Sequence, residues 1–283
     1  MTTHEHPTVP AGATGIAAGV DVGTECVKAV VIGSDGRTLG RAVKPVRGYF
    51  ETCAHETLAA ALNDAQRTTD ELMGIGATGF GMSGVLGATV STTESTCHAR
   101  GAFHHVHHAM TLVNIGGRDP RVITVDDTGH RIATHGMRRC AAGVGDFLMF
   151  AARHLDVNPA QLDELAAAAR EAVPVSSYCS VFSSSDLLEQ LRDGATREQV
   201  ALGCMHSVAR RVVELGDLRA PVMVSGGVAE YFPGVLRALE WLSGIRVTAL
   251  PDAIFAGALG AALGVTGDMR GERQSAVAEE AMR

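Results

Sequence analysis

Short apolar runs that end in glycine punctuate this chain and set its rhythm. Gly15-Ile16-Ala17-Ala18-Gly19-Val20-Asp21-Val22-Gly23-Thr24 reads as a strand closing on a glycine turn. A second strand is expected over 27–32. Ser34-Asp35-Gly36 is a hairpin-type turn that leads into a third over 38–43, so the chain opens as an antiparallel meander. A helix is expected over 55–67, with Leu58, Ala61, Leu62 and Ala65 on one face. Apolar stretches at 75–78 and 85–89 then flank Gly79-Phe80-Gly81, and a further helix covers 93–109.

The pattern then restarts. Residues 110–115 are apolar and end in Gly116-Gly117; 122–125 follow, then the Asp126-Asp127-Thr128-Gly129 turn, then 131–134. The same strand–glycine–strand–turn–strand unit thus occurs twice, about ninety residues apart, the mark of an internal duplication. Helices are expected over 144–154, 159–169, 184–192 and 197–215. A buried strand at 221–225 runs into Gly226-Gly227 and a helix to 242. A strand at 245–249 and a small-residue helix at 253–263 close the pattern. The organisation expected is a tail over 1–14, one lobe over 15–109, a second over 110–250, a closing helix over 251–265 that packs on the first lobe, and a flexible tail over 266–283.

Composition narrows the function classes. The 283 residues are 46% hydrophobic with 33 glycines, an α/β balance rich in turns, and at 4% aromatic content the core must be built from Ala, Val, Leu and Ile. The formal net charge is −7, from 31 acidic and 24 basic side chains without a Lys/Arg run, so no electrostatic footprint for nucleic acid or an anionic membrane is present. No stretch reaches the roughly 18 apolar residues of a membrane span, and the His/Thr/Pro-rich start lacks the pattern of a signal peptide; a cytoplasmic location is expected. The six cysteines are scattered without a C-x-x-C pair and are free thiols in a reducing compartment unless the fold gathers them. The run His104-His105-Val106-His107-His108 has no carboxylate or Cys at ligand spacing and reads as surface histidines.

Three glycine turns follow three apolar strands: Asp21-Val22-Gly23-Thr24, Asn114-Ile115-Gly116-Gly117 and Ser225-Gly226-Gly227-Val228. Successive backbone N–H groups in such turns can cradle phosphate oxygens, and a carboxylate at the first strand's end can hold Mg²⁺ through water. With Lys28, Ala77-Thr78-Gly79-Phe80-Gly81, Cys97-His98-Ala99-Arg100-Gly101-Ala102, Asn114 to Asp119, Cys140-Ala141-Ala142-Gly143-Val144-Gly145-Asp146, Ser176-Ser177-Tyr178-Cys179 and Gly257-Ala258-Leu259-Gly260, these blocks resemble the BadF/BadG/BcrA/BcrD ATPase family. The resemblance covers about residues 15 to 265 and implies an α/β, actin-like ATPase fold of two RNase H-like lobes, each with the β-meander plus helices.

It also implies roles. ATP and Mg²⁺ would bind through Gly23, Thr24, Lys28, Gly116, Gly117, Gly226 and Gly227, with Asp21, Asn114 and Asp119 as the catalytic set. Cys140 and Cys179 would be the two thiolates that each protomer of a dimer gives to a shared [4Fe–4S] cluster, the helix start after Cys140 favouring the added electron. Two jobs belong to the family: the ATPase pair of benzoyl-CoA reductase, and the activator of 2-hydroxyacyl-CoA dehydratases. Implied partners are a homologous protomer, the catalytic subunits, and reduced ferredoxin or flavodoxin as donor. This chain departs from the pattern where Asn114 stands in place of Asp, Met82 in place of Arg, and Ser184 and Asp186 in place of an acidic pair. These erosions favour the reductase component over the activator, or a non-catalytic ATP-binding subunit. They also suggest slow hydrolysis that Asn114→Asp would speed.

Overall fold

The computed structural model describes residues 15–46, 48–136, 143–176 and 180–267. The expected tails at 1–14 and 268–283 lie outside them; residues 266 and 267, expected in the second tail, are helical.

The first sheet contains β1 (Ile16–Val22), β2 (Cys26–Ile32), β3 (Thr38–Pro45), β4 (Leu72–Thr78) and β5 (Val90–Ser91), in the order β3-β2-β1-β4-β5. β1 pairs antiparallel with β2 and parallel with β4. All seven residues of β1 are buried because both faces of the sheet are covered. Ile16, Ala18, Val20 and Val22 pack on Ala54, Leu58, Ala61 and Leu62 of α1 (Phe50–Asp64). Ala17 on the other face packs on Ala258, Leu259 and Ala262 of the helix at 256–267. The two-residue period therefore puts Ala17, Gly19 and Asp21 on the face under that helix. A Cβ on Gly19 would overlap the Ala258 carbonyl, so the glycine sets how closely helix and sheet approach.

The second sheet repeats the first. β6 (Met110–Asn114), β7 (Arg121–Val125), β8 (Arg131–Gly136), β9 (Val222–Ser225) and β10 (Val247–Ala249) run in the order β10-β9-β6-β7-β8, the same topology read from the other edge. The equivalence extends to single residues: Asp21 faces Lys28 and Thr78, and Asn114 faces Arg121 and Ser225. Between the sheets runs α2 (Glu94–Val106). Its Ala99 and Ala102 enter the second lobe's core, while its Gly101 and the carbonyl of Cys97 meet 256–267. That core also takes in α3 (Val144–His154), α4 (Pro159–Ala168), α5 (Ser180–Arg192), α6 (Arg197–Val213), α7 (Gly227–Tyr231) and α8 (Pro233–Ser243).

Several elements differ from expectation. α1 starts a turn early because Cys53 and Ala54 continue its buried stripe. The strand expected over 85–89 is instead a turn around Gly87 (φ +73°), with pairing confined to Val90 and Ser91. α2 stops at Val106, where His107 turns left-handed. The helix expected from 227 to 242 breaks between Tyr231 and Pro233. Asp119 lies in the loop between β6 and β7, as the gap between those two apolar runs implies.

Candidate active site

Both central strands end at one cavity of about 400 Å³, within the usual ~300–1,000 Å³ range for small-ligand pockets. Of the residues singled out in the sequence, Asp21, Gly23, Thr24 and Lys28 line it from the first lobe. Gly116, Gly117, Asp119 and Gly227 line it from the second. Asn114 and Gly226 stand just behind the wall, Asn114 only 2% exposed. Cys140 and Cys179 lie outside the described residues.

On the first lobe Lys28 Nζ meets Asp21 Oδ2 at 3.3 Å, both nearly buried. Burial opposes the Lys28 charge, but the adjacent Asp21 carboxylate outweighs it, and the ammonium is held above its ordinary range. The turn after β4 needs glycine: Gly79 has φ +89°, and a Cβ there would sit 2.5 Å from Asp21 Oδ1. The second lobe copies this turn in Gly226 (φ +96°), whose Cβ would come 2.7 Å from Asn114 Oδ1.

Glu94, the first residue of α2, is the side chain that the sequence did not reveal. Asn114 Nδ2 donates to its Oε1 at 3.2 Å, and Arg121 Nη2 lies 3.5 Å from its Oε2. A carboxylate can only accept, so the amide nitrogen must face Glu94; this leaves Asn114 Oδ1 buried without a hydrogen-bond partner among the described residues. His98 Nε2 is 4.0 Å from Glu94 Oε1, and its Nδ1 bonds Ser225 Oγ at 3.0 Å. Burial lowers the His98 pKa, so it is neutral at physiological pH. Glu94 itself lines the cavity. An acid in the first turn of a helix is ordinary in sequence; only the crossing of α2 over both strand ends gives this one its place.

Two further contacts cross the cavity. The Arg118 guanidinium lies 5.9 Å from the Phe80 ring centroid. Burial, then the neighbouring Glu25 carboxyl, pushes Asp146 up to about 6.

The donor set fits a nucleotide with Mg²⁺. The Asp21 carboxylate on the cavity wall, the orphaned Asn114 Oδ1 behind it, and glycine turns without Cβ atoms suit a hard, hydrated cation beside phosphates. For a metal cluster, the described residues supply nothing: no group of three or more His, Cys, Asp or Glu is assembled among them. The described cysteines are free, and burial raises Cys97 to about 11 and Cys204 to about 12, which keeps them as packed thiols. The histidines at the end of α2 form no such group either.

Two sheets of equal strand order, bridged by α2 and the helix at 256–267 and opening their glycine turns onto one cavity, define an actin-like ATPase fold. Residues 18–265 match the model of the BadF/BadG/BcrA/BcrD ATPase family, and the chain belongs to that family. It is 34% identical over 248 residues to the activator of lactoyl-CoA dehydratase of Anaerotignum propionicum, covering 87% of this chain and 95% of that protein. It is 30% identical over 263 residues to a benzoyl-CoA reductase component of Thauera aromatica, covering 88% and 92%. The crystal structure of (R)-2-hydroxyglutaryl-CoA dehydratase component A from Acidaminococcus fermentans superposes with a TM-score of 0.84 at 31% identity, over 90% of this chain and 98% of that one. The Clostridium difficile 2-hydroxyisocaproyl-CoA dehydratase activator with bound ADPNP also gives 0.84, at 25% identity over 92% and 97%. No helix among the described residues is long and apolar enough to cross a membrane.

Proposed function

We propose that this chain is an ATP-hydrolysing electron donor that activates a 2-hydroxyacyl-CoA dehydratase. The observation that carries this reading is the convergence of Asp21, Lys28 and the glycine turns of both lobes on one cavity, in a chain that matches dehydratase activators along nearly their whole length. Thr24 and Lys28 would meet the phosphates from one side, and Gly116, Gly117 and Gly227 from the other, mainly through backbone N–H groups, while Gly23 and Gly226, whose N–H groups donate to the Cys26 and Ala253 carbonyls, would shape the two turns. Asp21 would hold hydrated Mg²⁺. Cys140 and Cys179 would be this chain's two thiolates to a [4Fe–4S] cluster shared with a second protomer; the cluster supplies one-electron transfer at low potential. Nucleotide-driven movement of the lobes would couple hydrolysis to delivery of the electron to the dehydratase, with reduced ferredoxin or flavodoxin refilling the donor.

The alternative, an ATPase component of benzoyl-CoA reductase, keeps the support of the Thauera aromatica relative. Its preference came from the departures at Asn114, Met82, Ser184 and Asp186 together, and at the first of these Glu94 stands beside the amide.

Calorimetry with Mg·ATP on anaerobically purified protein, with an electron paramagnetic resonance spectrum of the reduced sample, tests the proposal. Nucleotide binding and a cluster signal are expected, and addition to a 2-hydroxyacyl-CoA dehydratase should start turnover. Protein that binds nucleotide but carries no iron would reject electron donation and leave a plain ATPase.

A further inference from the structure

The two lobes present the same backbone to the cavity with different chemistry. On the first, the end of the central strand carries a carboxylate and its neighbour a cation, Asp21 with Lys28 at 3.3 Å. On the second, the matching positions carry an amide and a cation, Asn114 and Arg121. The missing carboxylate arrives from another element: Glu94 of α2 takes a hydrogen bond from Asn114 on one oxygen and faces Arg121 on the other. Each oxygen retains a lone pair, and the side chain is 32% exposed toward the cavity.

We infer that Glu94 is the catalytic carboxylate of ATP hydrolysis in this chain, and that Asn114 and Arg121 are the positioning residues that hold it. The inference rests on the cavity being the ATP site. Water attacks the γ-phosphorus and the bond to the ADP oxygen breaks. The water proton passes to the Glu94 carboxylate, which returns it to solvent as ADP and phosphate leave.

Two neighbouring groups are committed elsewhere. Asp21 is tied to Lys28. His98 is 2% exposed, bonds Ser225 and faces Glu94 rather than the cavity. The charged and titratable groups around Glu94 include Arg121 from β7, Lys28 from β2 with Asp21 from β1 beside it, and His98 and Cys97 from α2 itself.

This reverses the expectation for Asn114→Asp. A carboxylate there would replace an N–H donor with an acceptor 3.2 Å from Glu94 Oε1. Two such groups share a proton or repel, and Glu94 loses its aim.

The test is single-turnover ATP hydrolysis by the full chain, with Mg·ATP affinity measured separately by calorimetry. Glu94→Gln should slow the chemical step by about 10²–10⁴-fold while affinity stays within about threefold, and Glu94→Asp should recover part of the rate. Asn114→Ala should slow the same step by about tenfold with affinity kept, the split that a merely structural residue would not give. Asn114→Asp should bring no gain. Wild-type rates in Glu94→Gln, or an Asn114→Asp chain faster than the wild type, would overturn the assignment. Wild-type protein that binds Mg·ATP without hydrolysing it would overturn the role of Glu94 and spare the nucleotide site. Wild-type protein that binds no Mg·ATP would bring down the proposed function and this inference together.

Discussion

Asp146→Asn should stabilise the protein at neutral pH and leave it unchanged in acid. Asp146 sits in the first turn of α3 and meets Glu25, from the turn between β1 and β2, across the cavity. Its pKa rises from the ordinary 3.8 to about 6, through burial first and the Glu25 charge second, with Arg118 and Arg153 pulling the other way. Below pH 3.8 the folded and unfolded carboxyls are both protonated and nothing is lost. Between 3.8 and about 6 the folded chain keeps a proton that the unfolded chain has released, so this group's contribution falls as pH rises and the penalty is full above about 6. At 1.36 kcal/mol per pH unit the ceiling is about 3 kcal/mol, and because Asp146 is only half-buried, solvent screening reduces this to about 1 kcal/mol. Asn cannot ionise, so the variant escapes the penalty. Urea unfolding at pH 7.5 and pH 4 measures it: the variant should gain about 1 kcal/mol, or a few degrees in Tm, at the higher pH and converge with the wild type at the lower. A variant less stable at pH 7.5, or an equal gain at both values, would refute the raised pKa of Asp146.

Asp21→Ala should weaken Mg·ATP binding by at least about tenfold in calorimetry and also destabilise the fold by about 3–5 kcal/mol, because Lys28 is left buried without its counter-charge. Adding Lys28→Met should restore the stability but not the affinity; recovery of both would detach Asp21 from the nucleotide. Gly101→Ala should cost about 1–3 kcal/mol in urea unfolding, since a Cβ there would overlap the Ala256 carbonyl where α2 crosses the helix at 256–267. Cys140→Ala and Cys179→Ala should each abolish the reduced-cluster signal while nucleotide binding persists, and full iron retention in both would reject them as ligands.

What could be read from the sequence was whatever leaves a local trace. β1 and β6 are short apolar runs because both faces are buried, and each runs into a glycine turn, where a Cβ on Gly23 would press on the Cys26 carbonyl and one on Gly117 on the Glu25 side chain; pattern and cause lie in the same few residues. The duplication followed from the spacing of those runs. Elements whose limits are set from a distance were misjudged. Val85 looks like strand but is buried in a turn against the first core, and the break at Pro233 falls inside an otherwise continuous apolar pattern. Among site residues, the glycine turns, Asp21 and Lys28 were legible as motifs. Glu94 was not, because its partners Asn114 and Arg121 lie 20 and 27 positions on in the chain and reach it only after β6 and β7 pair beneath α2.

That difference changes how a departure from a family pattern should be judged. Taken alone, Asn114 is a lost charge, and a lost charge at a hydrolytic site implies a weakened enzyme. In the fold the amide has a definite partner. Had position 114 held Asp, its carboxylate would face Glu94 Oε1 at 3.2 Å with Arg121 as the nearest compensating cation, an arrangement that must either share a proton or displace one side chain. Asn removes the repulsion, supplies a donor in the same volume and leaves Arg121 free to balance Glu94. The amide and the helix-borne acid therefore form one unit, and their contributions should be strongly non-additive: once Glu94 is Gln, replacing Asn114 should cost the chemical step almost nothing more. A double-mutant cycle on single-turnover rates measures this coupling. Independent, additive losses would mean that the two residues serve different ends.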